Sequence, residues 1–355
     1  MMPLLNAYEY REIMKKTSHV LHKGILLAAL LCALQFGLAC APGIVDAPPV
    51  TEVSASPTPS AAPTTPQPIA TPAPTAAPVP TATPLPTPFS FVWIADTQVY
   101  AYKYSDCFVT MTQWAVDTKE EYNTLAVLHT GDIVDNHKSS RQWANVTPAI
   151  ELLKGQLPFY CVAGNHDVGA ERQNFKRYLA RDFCDVRDPE YLFEDGKCWA
   201  LPFTAGGTDF LLLGLSWLES DDHLDWAKEI LDTHTDRVVI LMTHGFLTTG
   251  GMLLGNGGRI EREILQNYPA VRLVICGHKD GSVRIEIPRE DAPPVHAMMY
   301  NFQEAVKHRR GLGYLRLLTF DPITRSLSVT TYSPYLDDYN FKREKDETFV
   351  IENAF

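Results

Sequence analysis

Five short apolar runs, each stopping abruptly at polar residues, set the rhythm of the C-terminal part of the chain. They are FVWIA (91–95) before Asp96-Thr97-Gln98, LAVLHT (125–130) before Gly131-Asp132, and FYCVA (159–163) before Gly164-Asn165-His166-Asp167. VVILMT (238–243) before His244 and RLVIC (272–276) before Gly277-His278 complete the set. Continuous apolar runs of this length, bounded by glycine and polar residues, predict strands buried on both faces. Between the first three lie two stretches with helical patterning, 105–122 and 140–154. That alternation predicts a βαβαβ opening and an α/β domain. Its reactive side chains fall at the C-terminal ends of strands, where open α/β sheets place their sites.

The N-terminal part follows different rules. Residues 25–40 (ILLAALLCALQFGLAC) are apolar except for Gln35 and Gly37, and Lys15, Lys16 and Lys23 precede them. This is the pattern of a secretory signal. Sixteen residues make about 24 Å of helix, short of the ~30 Å hydrocarbon core, so a permanent span is the weaker reading. Met14, directly before Lys15-Lys16, is a more natural start than Met1. Gly37-Leu38-Ala39-Cys40 resembles a bacterial lipoprotein signal, whose cysteine is acylated after cleavage. Gly37 departs from the branched apolar residue usual there. The expectation is a signal peptide over 1–39 and a lipid on Cys40.

Residues 40–88 form the next segment. Fifteen of the 26 prolines fall in 41–88, with only Asp46 and Glu52 charged. No apolar period is present that would offset the entropy of ordering a core. Closely spaced prolines favour an extended stalk, which at about 3.1 Å per residue reaches on the order of 150 Å. The remaining 89–355 is long enough for one large domain.

Charge narrows the partners. The chain carries −11 overall. Without 1–39 it has 27 Lys+Arg against 40 Asp+Glu, or −13. An acidic protein is a poor match to nucleic acid, so none is expected as a partner. It also gains nothing from anionic lipid, which leaves membrane attachment to the acyl group on Cys40. The expected location is extracytoplasmic, lipid-anchored to a bacterial cell membrane or secreted, and the protein is expected to be monomeric. Cys161 and Cys276 lie in strand patterns and are expected to pack as small apolar residues. Cys184 and Cys198 are candidates for a disulfide, which export permits.

Any one strand end rich in polar residues has a bland explanation, since Asp-Gly pairs make turns. Five in order, all offering oxygen or imidazole donors, point to a two-metal site. Residues 89–355 resemble the calcineurin-like metallophosphoesterase superfamily, whose pattern runs D-x-H, G-D-x-x-D, G-N-H-D/E, a lone His, then G-H-x-H. The matching segments are Asp96-Thr97-Gln98, Gly131-Asp132-Ile133-Val134-Asp135, Gly164-Asn165-His166-Asp167, His244 and Gly277-His278-Lys279-Asp280. Asn301-Phe302-Gln303, Gly311-Leu312-Gly313-Tyr314-Leu315-Arg316 and Thr331-Tyr332-Ser333-Pro334 resemble secreted bacterial members that also carry D-T-Q.

The resemblance implies an α/β/β/α sandwich of two facing mixed β-sheets. It implies a phosphomonoesterase or phosphodiesterase with two divalent metal ions acting on a small phosphoester. One ion would be held by Asp96, Gln98, Asp132 and Asp280, the other by Asp132, Asn165, His244 and His278, with Asp132 shared. His166 would be the proton donor to the leaving group, and Asp135 would orient it by a hydrogen bond. Gln98 and Asp280 stand where the family usually has histidine. An all-oxygen set favours Mn²⁺, with Fe, Zn or Mg as the other candidates. The competing reading is a non-catalytic surface-anchored binding protein with a degenerate first metal site.

His129, inside a strand, is expected in the core. His223 and His234 flank an amphipathic helix and are expected at the surface. Asn256-Gly257-Gly258-Arg259 is either a phosphate clamp or a plain loop. Trp93, Tyr100, Tyr102 and Tyr104 are either core or a stacking surface.

Overall fold

The computed structural model describes residues 86–168, 185–186, 188–193, 196–217, 220–303, 312–342 and 344–355. All of them lie in the unit that runs from Val79 to Phe355. The signal, Cys40, most of the stalk and Cys184 lie outside the described residues. No helix among the described residues is long and apolar enough to cross a membrane.

The opening is the expected βαβαβ. Strand β1 (Phe89–Ile94) leads through α1 (Gln98–Lys103) and α2 (Ser105–Asp117) to β2 (Thr124–His129), then through α3 (Ser140–Glu151) to β3 (Phe159–Cys161). The three strands pair in parallel. All six residues of β1 are buried, as its unbroken apolar run requires. Two antiparallel strands close the other side, β11 (Leu315–Asp321) on β1 and β12 (Ser326–Ser333) on β11. Short strands β13 (Asp338–Tyr339) and β14 (Phe349–Ile351) both pair with β12 and complete a seven-stranded mixed sheet.

The second sheet also has seven strands. Its parallel centre is β6 (Thr208–Leu215), β7 (Val238–Thr243), β8 (Val271–Cys276) and β10 (Val295–Asn301). Its antiparallel flanks are β4 (Leu192–Phe193) and β5 (Cys198–Ala205) on one side and β9 (Gly281–Ile287) on the other. Helix α4 (Asp222–Asp232) joins β6 to β7. Helix α5 (Gly255–Ile260), continued by a π-turn over Glu261–Leu265, joins β7 to β8. A last short helix, α6 (Glu344–Glu347), precedes β14.

Alternation along the second sheet builds two cores from one set of strands. Phe210, Leu212, Ile240 and Met242 point into the core shared with the first sheet. Leu211, Leu213, Leu215, Val239 and Leu241 point the other way, onto Leu224 and Ala227 of α4, Ile260 of α5 and Ile264 of the π-turn. A one-residue slip of β6 would exchange these sets, so both cores enforce its register. Helix α4 buries 223, 224, 227, 230 and 231, a helical stripe. His223 belongs to that stripe. It is fully buried against Phe193, with ring centroids 5.7 Å apart, and so is a core residue, contrary to the surface expectation.

The two ends of the sandwich are joined differently. Below, Phe210 of the second sheet meets Phe89 and Phe320 of the first at 5.5 and 5.9 Å, Phe203 meets Phe91 at 5.9 Å, and Phe355 caps Phe210 at 5.4 Å. Above, hydrogen bonds cross between the sheets. Trp199 Nε1 donates to the Cys161 carbonyl at 2.7 Å, and Tyr300 Oη donates to the Trp93 carbonyl at 2.7 Å. The Ala163 amide donates to Ser216 Oγ at 2.8 Å.

Candidate metal centre

The five strand ends predicted to carry chemistry meet at that upper end. Asp96 follows β1, Asp132 follows β2, Asn165 and His166 follow β3, His244 follows β7, and His278 follows β8. The first three come from one sheet and the last two from the other. Asp132, His244 and His278 each offer a donor atom within 4.8 Å of the others.

Tight backbone turns bring them together. Asp96, Asp132 and His278 have φ of 50°, 54° and 75°, three of the eight non-glycine residues with positive φ among those described. Aspartate tolerates this conformation better than histidine does, and such strain concentrates at functional sites. Two glycines make room. A Cβ on Gly164 would run into the Asp132 carboxylate, and one on Gly277 into the Asp96 carboxylate.

The floor is buried and acidic. Asp96, Asp132 and Asp167 are at most 2% exposed, and His244 is fully buried. His244 Nδ1 donates to the Thr130 carbonyl at 2.8 Å, which turns Nε2 toward Asp132 Oδ2 at 3.1 Å and Asn165 Oδ1 at 3.2 Å. A carbonyl on one ring nitrogen that aims the other is the usual way a ligating imidazole is oriented. Burial opposes charge on His244, but Asp132 and Asp96 outweigh it and hold the imidazole up at about 9. Asp96 is pushed well above the carboxylate range, by burial first and by the neighbouring Asp132. His278 is pushed down to about 4 by burial and by His244. Three buried carboxylates facing one buried imidazole form a site short of positive charge.

Gln98, 6% exposed, sits at the start of α1. Its Nε2 donates to Asp132 Oδ2 at 3.1 Å, while its Oε1 is buried with no hydrogen-bond partner. A buried, unmatched carbonyl oxygen beside an acidic cluster is a ready ligand for a cation. Together with the Asp132–His244–His278 group, it makes this chain's residues fit a divalent ion. Asp96 accepts the His278 amide at 3.0 Å and so links the ends of β1 and β8. Asp280 is exposed and outside the group of three.

The mouth is more open. His166 and Asn165 are half-buried and Asp135 is exposed. The His166 amide donates to Asp132 Oδ1 at 2.9 Å, which seats the residue against the floor. His166 Nδ1 lies 2.8 Å from the Asp135 main-chain carbonyl and 3.5 Å from its carboxylate. The closer partner is therefore the backbone of Asp135.

Several residues that hold the site went unread in the sequence. Asp167 accepts the Ile133 and Val134 amides at 2.8 and 3.1 Å on one oxygen and the Gly164 amide at 2.9 Å on the other. It thereby fastens the G-N-H-D turn to the G-D-x-x-D turn, and its own motif position was the signal. Burial, then Asp132, raises it to about 7. Gln142 Oε1 accepts the Asp135 and Asn136 amides at 2.9 and 2.8 Å. His129, in the core as expected, accepts the Gly131 amide on Nδ1 at 3.1 Å, so its proton sits on Nε2, 3.1 Å from Thr97 Oγ1. Burial, then His244, lowers it to about 3, which keeps that arrangement neutral.

Trp217 follows β6, and its ring centroid lies 5.2 Å from that of His278 and 5.9 Å from that of His244. The run FLLLGLSW has the same abrupt ending as the other five, but it stops at no metal-type residue. Arg259 is in helix α5 and pairs with Asp221 and Glu263, so it is no open phosphate clamp. Tyr100 is buried, with its hydroxyl accepting the Gly313 amide at 3.1 Å, while Tyr102 is 65% exposed.

Two mixed sheets with flanking helices, and a carboxylate–imidazole cluster at their strand ends, define a metallophosphoesterase fold. The sequence model for calcineurin-like phosphoesterases matches residues 89–279, more than half of the chain, and the chain belongs to that family. An uncharacterised protein of Bacillus subtilis (strain 168), YvnB, is 32% identical over 264 residues, which is 71% of this chain. The chain spans about a fifth (20%) of the length of YvnB. The purple acid phosphatase PPD1 of yellow lupin (Lupinus luteus) shares the fold at 14% identity and a TM-score of 0.51, covering 75% of this chain and 54% of that one. The family generally hydrolyses phosphoester bonds and typically binds two divalent metals.

Proposed function

We propose that this chain is an extracytoplasmic phosphoester hydrolase working with two divalent ions. The observation that carries the proposal is the buried Asp132–His244–His278 group with the unpartnered Gln98 Oε1 beside Asp132. Asp132 is shared. Asp96, Gln98 and Asp280 complete one set, and Asn165, His244 and His278 complete the other. When bound, the ions supply Lewis acidity toward the phosphoryl oxygens and activate water near neutral pH.

The chain's own residues do the rest. Asp132 and Asp96 fix the centre through the His166 and His278 amides. His166, held through Nδ1 by the Asp135 carbonyl, presents Nε2 as the proton donor to the departing oxygen. The oxygen-rich set of Gln98 and Asp280 favours Mn²⁺ over Zn²⁺ at that position. A lipid on Cys40 and the stalk to residue 88 would hold a monomeric domain at a bacterial surface, facing small phosphoesters rather than nucleic acid.

His166→Ala tests the chemistry. It should lower the rate on a poor leaving group by about 10²–10⁴-fold and keep the metal content of the parent. Substrates with good leaving groups, which need less protonation, should lose less. Loss of metal together with activity would assign His166 to ligation and reject this reading.

A further inference from the structure

Trp217 has no part in the mechanism above, yet it stands at the mouth of the same centre. Building on the proposed hydrolase, we infer that its indole is the platform for a planar aromatic ring carried by the substrate, next to the phosphoryl group. The residue is held from both sides of the sandwich. It lies two residues beyond the end of β6, and its amide donates to the Ala163 carbonyl at 2.8 Å. The neighbouring Ser216 Oγ accepts the Ala163 amide at 2.8 Å. Trp217 is thus pinned to the turn that carries Asn165 and His166.

Its ring is seated as carefully as its backbone. The indole lies against His278 and His244 at interplanar angles of 50° and 59°. The seat is Gly245, directly after His244. A Cβ there would stand 2.8 Å from Trp217 Cζ3 and 3.7 Å from His278 Cδ2, so the absent side chain leaves room for the six-membered ring.

Depth and place together separate this indole from a core tryptophan. Trp93, Trp143 and Trp199 are fully buried. Trp114 and Trp226 are half-buried like Trp217, but they pack against the two hydrophobic cores, whereas Trp217 lies against His278 and His244. The floor formed by Asp96, Asp132 and His244 is closed to solvent. A phosphoryl group seated over that floor beside His278 carries its ester substituent past the indole. A large, rigid, partly exposed π-face binds flat rings with little regard to their hydrogen-bonding pattern. The chemistry recognised is therefore a flat aromatic ring near phosphorus, from either an aryl phosphoester or a nucleotide.

Equilibrium binding to the Mn²⁺-loaded chain separates the outcomes without requiring turnover. Phenylphosphonate is compared with methylphosphonate, and adenosine 5′-monophosphate with ribose 5-phosphate. The ring-bearing member of at least one pair should bind about 10- to 100-fold more tightly, and Trp217→Ala should erase that margin. Trp217→Phe should keep part of it, and Gly245→Ala, which displaces the indole, should reduce it. Metal content should match the parent in every variant. A margin in the first pair identifies an aryl source, and one in the second a nucleoside source. No margin in either pair, or a margin that survives Trp217→Ala, overturns the inference even if phosphoesters are hydrolysed. Metal lost with the indole would make Trp217 a wall for the imidazoles and overturn it too. Binding preferences without hydrolysis of any phosphoester would sink the proposed function and leave the platform standing.

Discussion

The sandwich is closed at its lower end by phenylalanines and at its upper end by carboxylates, imidazoles and amides. Both ends join the same two sheets. Below, Phe89, Phe203, Phe210, Phe320 and Phe355 meet ring to ring, and each aromatic pair adds about 0.5–1.5 kcal/mol beyond its buried area. Above, the same joint is made with positive-φ aspartates, buried acids and an unmatched amide oxygen. The lower end stores stability. The upper end gives it up to hold donors where a cation is needed, the usual exchange between stability and activity.

Phe210 is the strongest place to break this contrast. It contacts Phe89, Phe203, Phe320 and Phe355. Phe210→Ala should cost about 3–5 kcal/mol in denaturant unfolding, while the folded fraction still binds metal with the parent's stoichiometry. Altered stoichiometry would mean that the two ends are not separable.

Asp96 offers the opposite experiment. It is fully buried, accepts the His278 amide, and has the carboxylates of Asp132 and Asp167 as well as the His244 imidazole for charged neighbours. Asp96→Asn keeps an acceptor for the His278 amide and removes a repelling charge. The metal-free chain should gain about 0.5–2 kcal/mol, and metal binding at its position should disappear. A less stable metal-free variant would show that Asp96 contributes to folding rather than costing it.

Gln98 should show the smallest change in stability. Gln98→Ala removes one hydrogen bond to Asp132 and an acceptor that has no partner, so the metal-free chain should shift by no more than about 1.5 kcal/mol. Metal analysis should nonetheless find one ion lost and the other retained. The parent, stripped and reloaded, should recover activity best with Mn²⁺ and poorly with Zn²⁺ alone. Two ions retained by Gln98→Ala would remove Gln98 from the ligand set.

Much of this was legible in the sequence, because a buried strand that stops at a polar cluster leaves two marks at once. The runs before Asp96, Asp132, Asn165, His244 and His278 became β1, β2, β3, β7 and β8, in the expected opening topology. What escaped was relational. Asp167 reads as one more acid in a motif, and only the fold brings the Ile133, Val134 and Gly164 amides to it. His223 reads as a polar residue at a helix end, although its spacing to Ala227 and Ile230 places it on the buried stripe. The FLLLGL run lacks the second mark, because Ser216 and Trp217 are not metal donors. Two-residue strands such as β4 and β13 carry too few residues for any period to register.

The proposed ligand set is drawn from both sheets, with Asp96, Asp132 and Asn165 on one and His244 and His278 on the other. Any ion held by that set is a cross-link as much as a catalyst. It binds the docked sandwich and has no comparable seat once the sheets part. Free ion at a hundred times its dissociation constant would add about 2.7 kcal/mol to the folded state. Resistance to proteolysis would then rise and fall with the supply of free metal, making the lifetime of the domain a gauge of the ion at its centre.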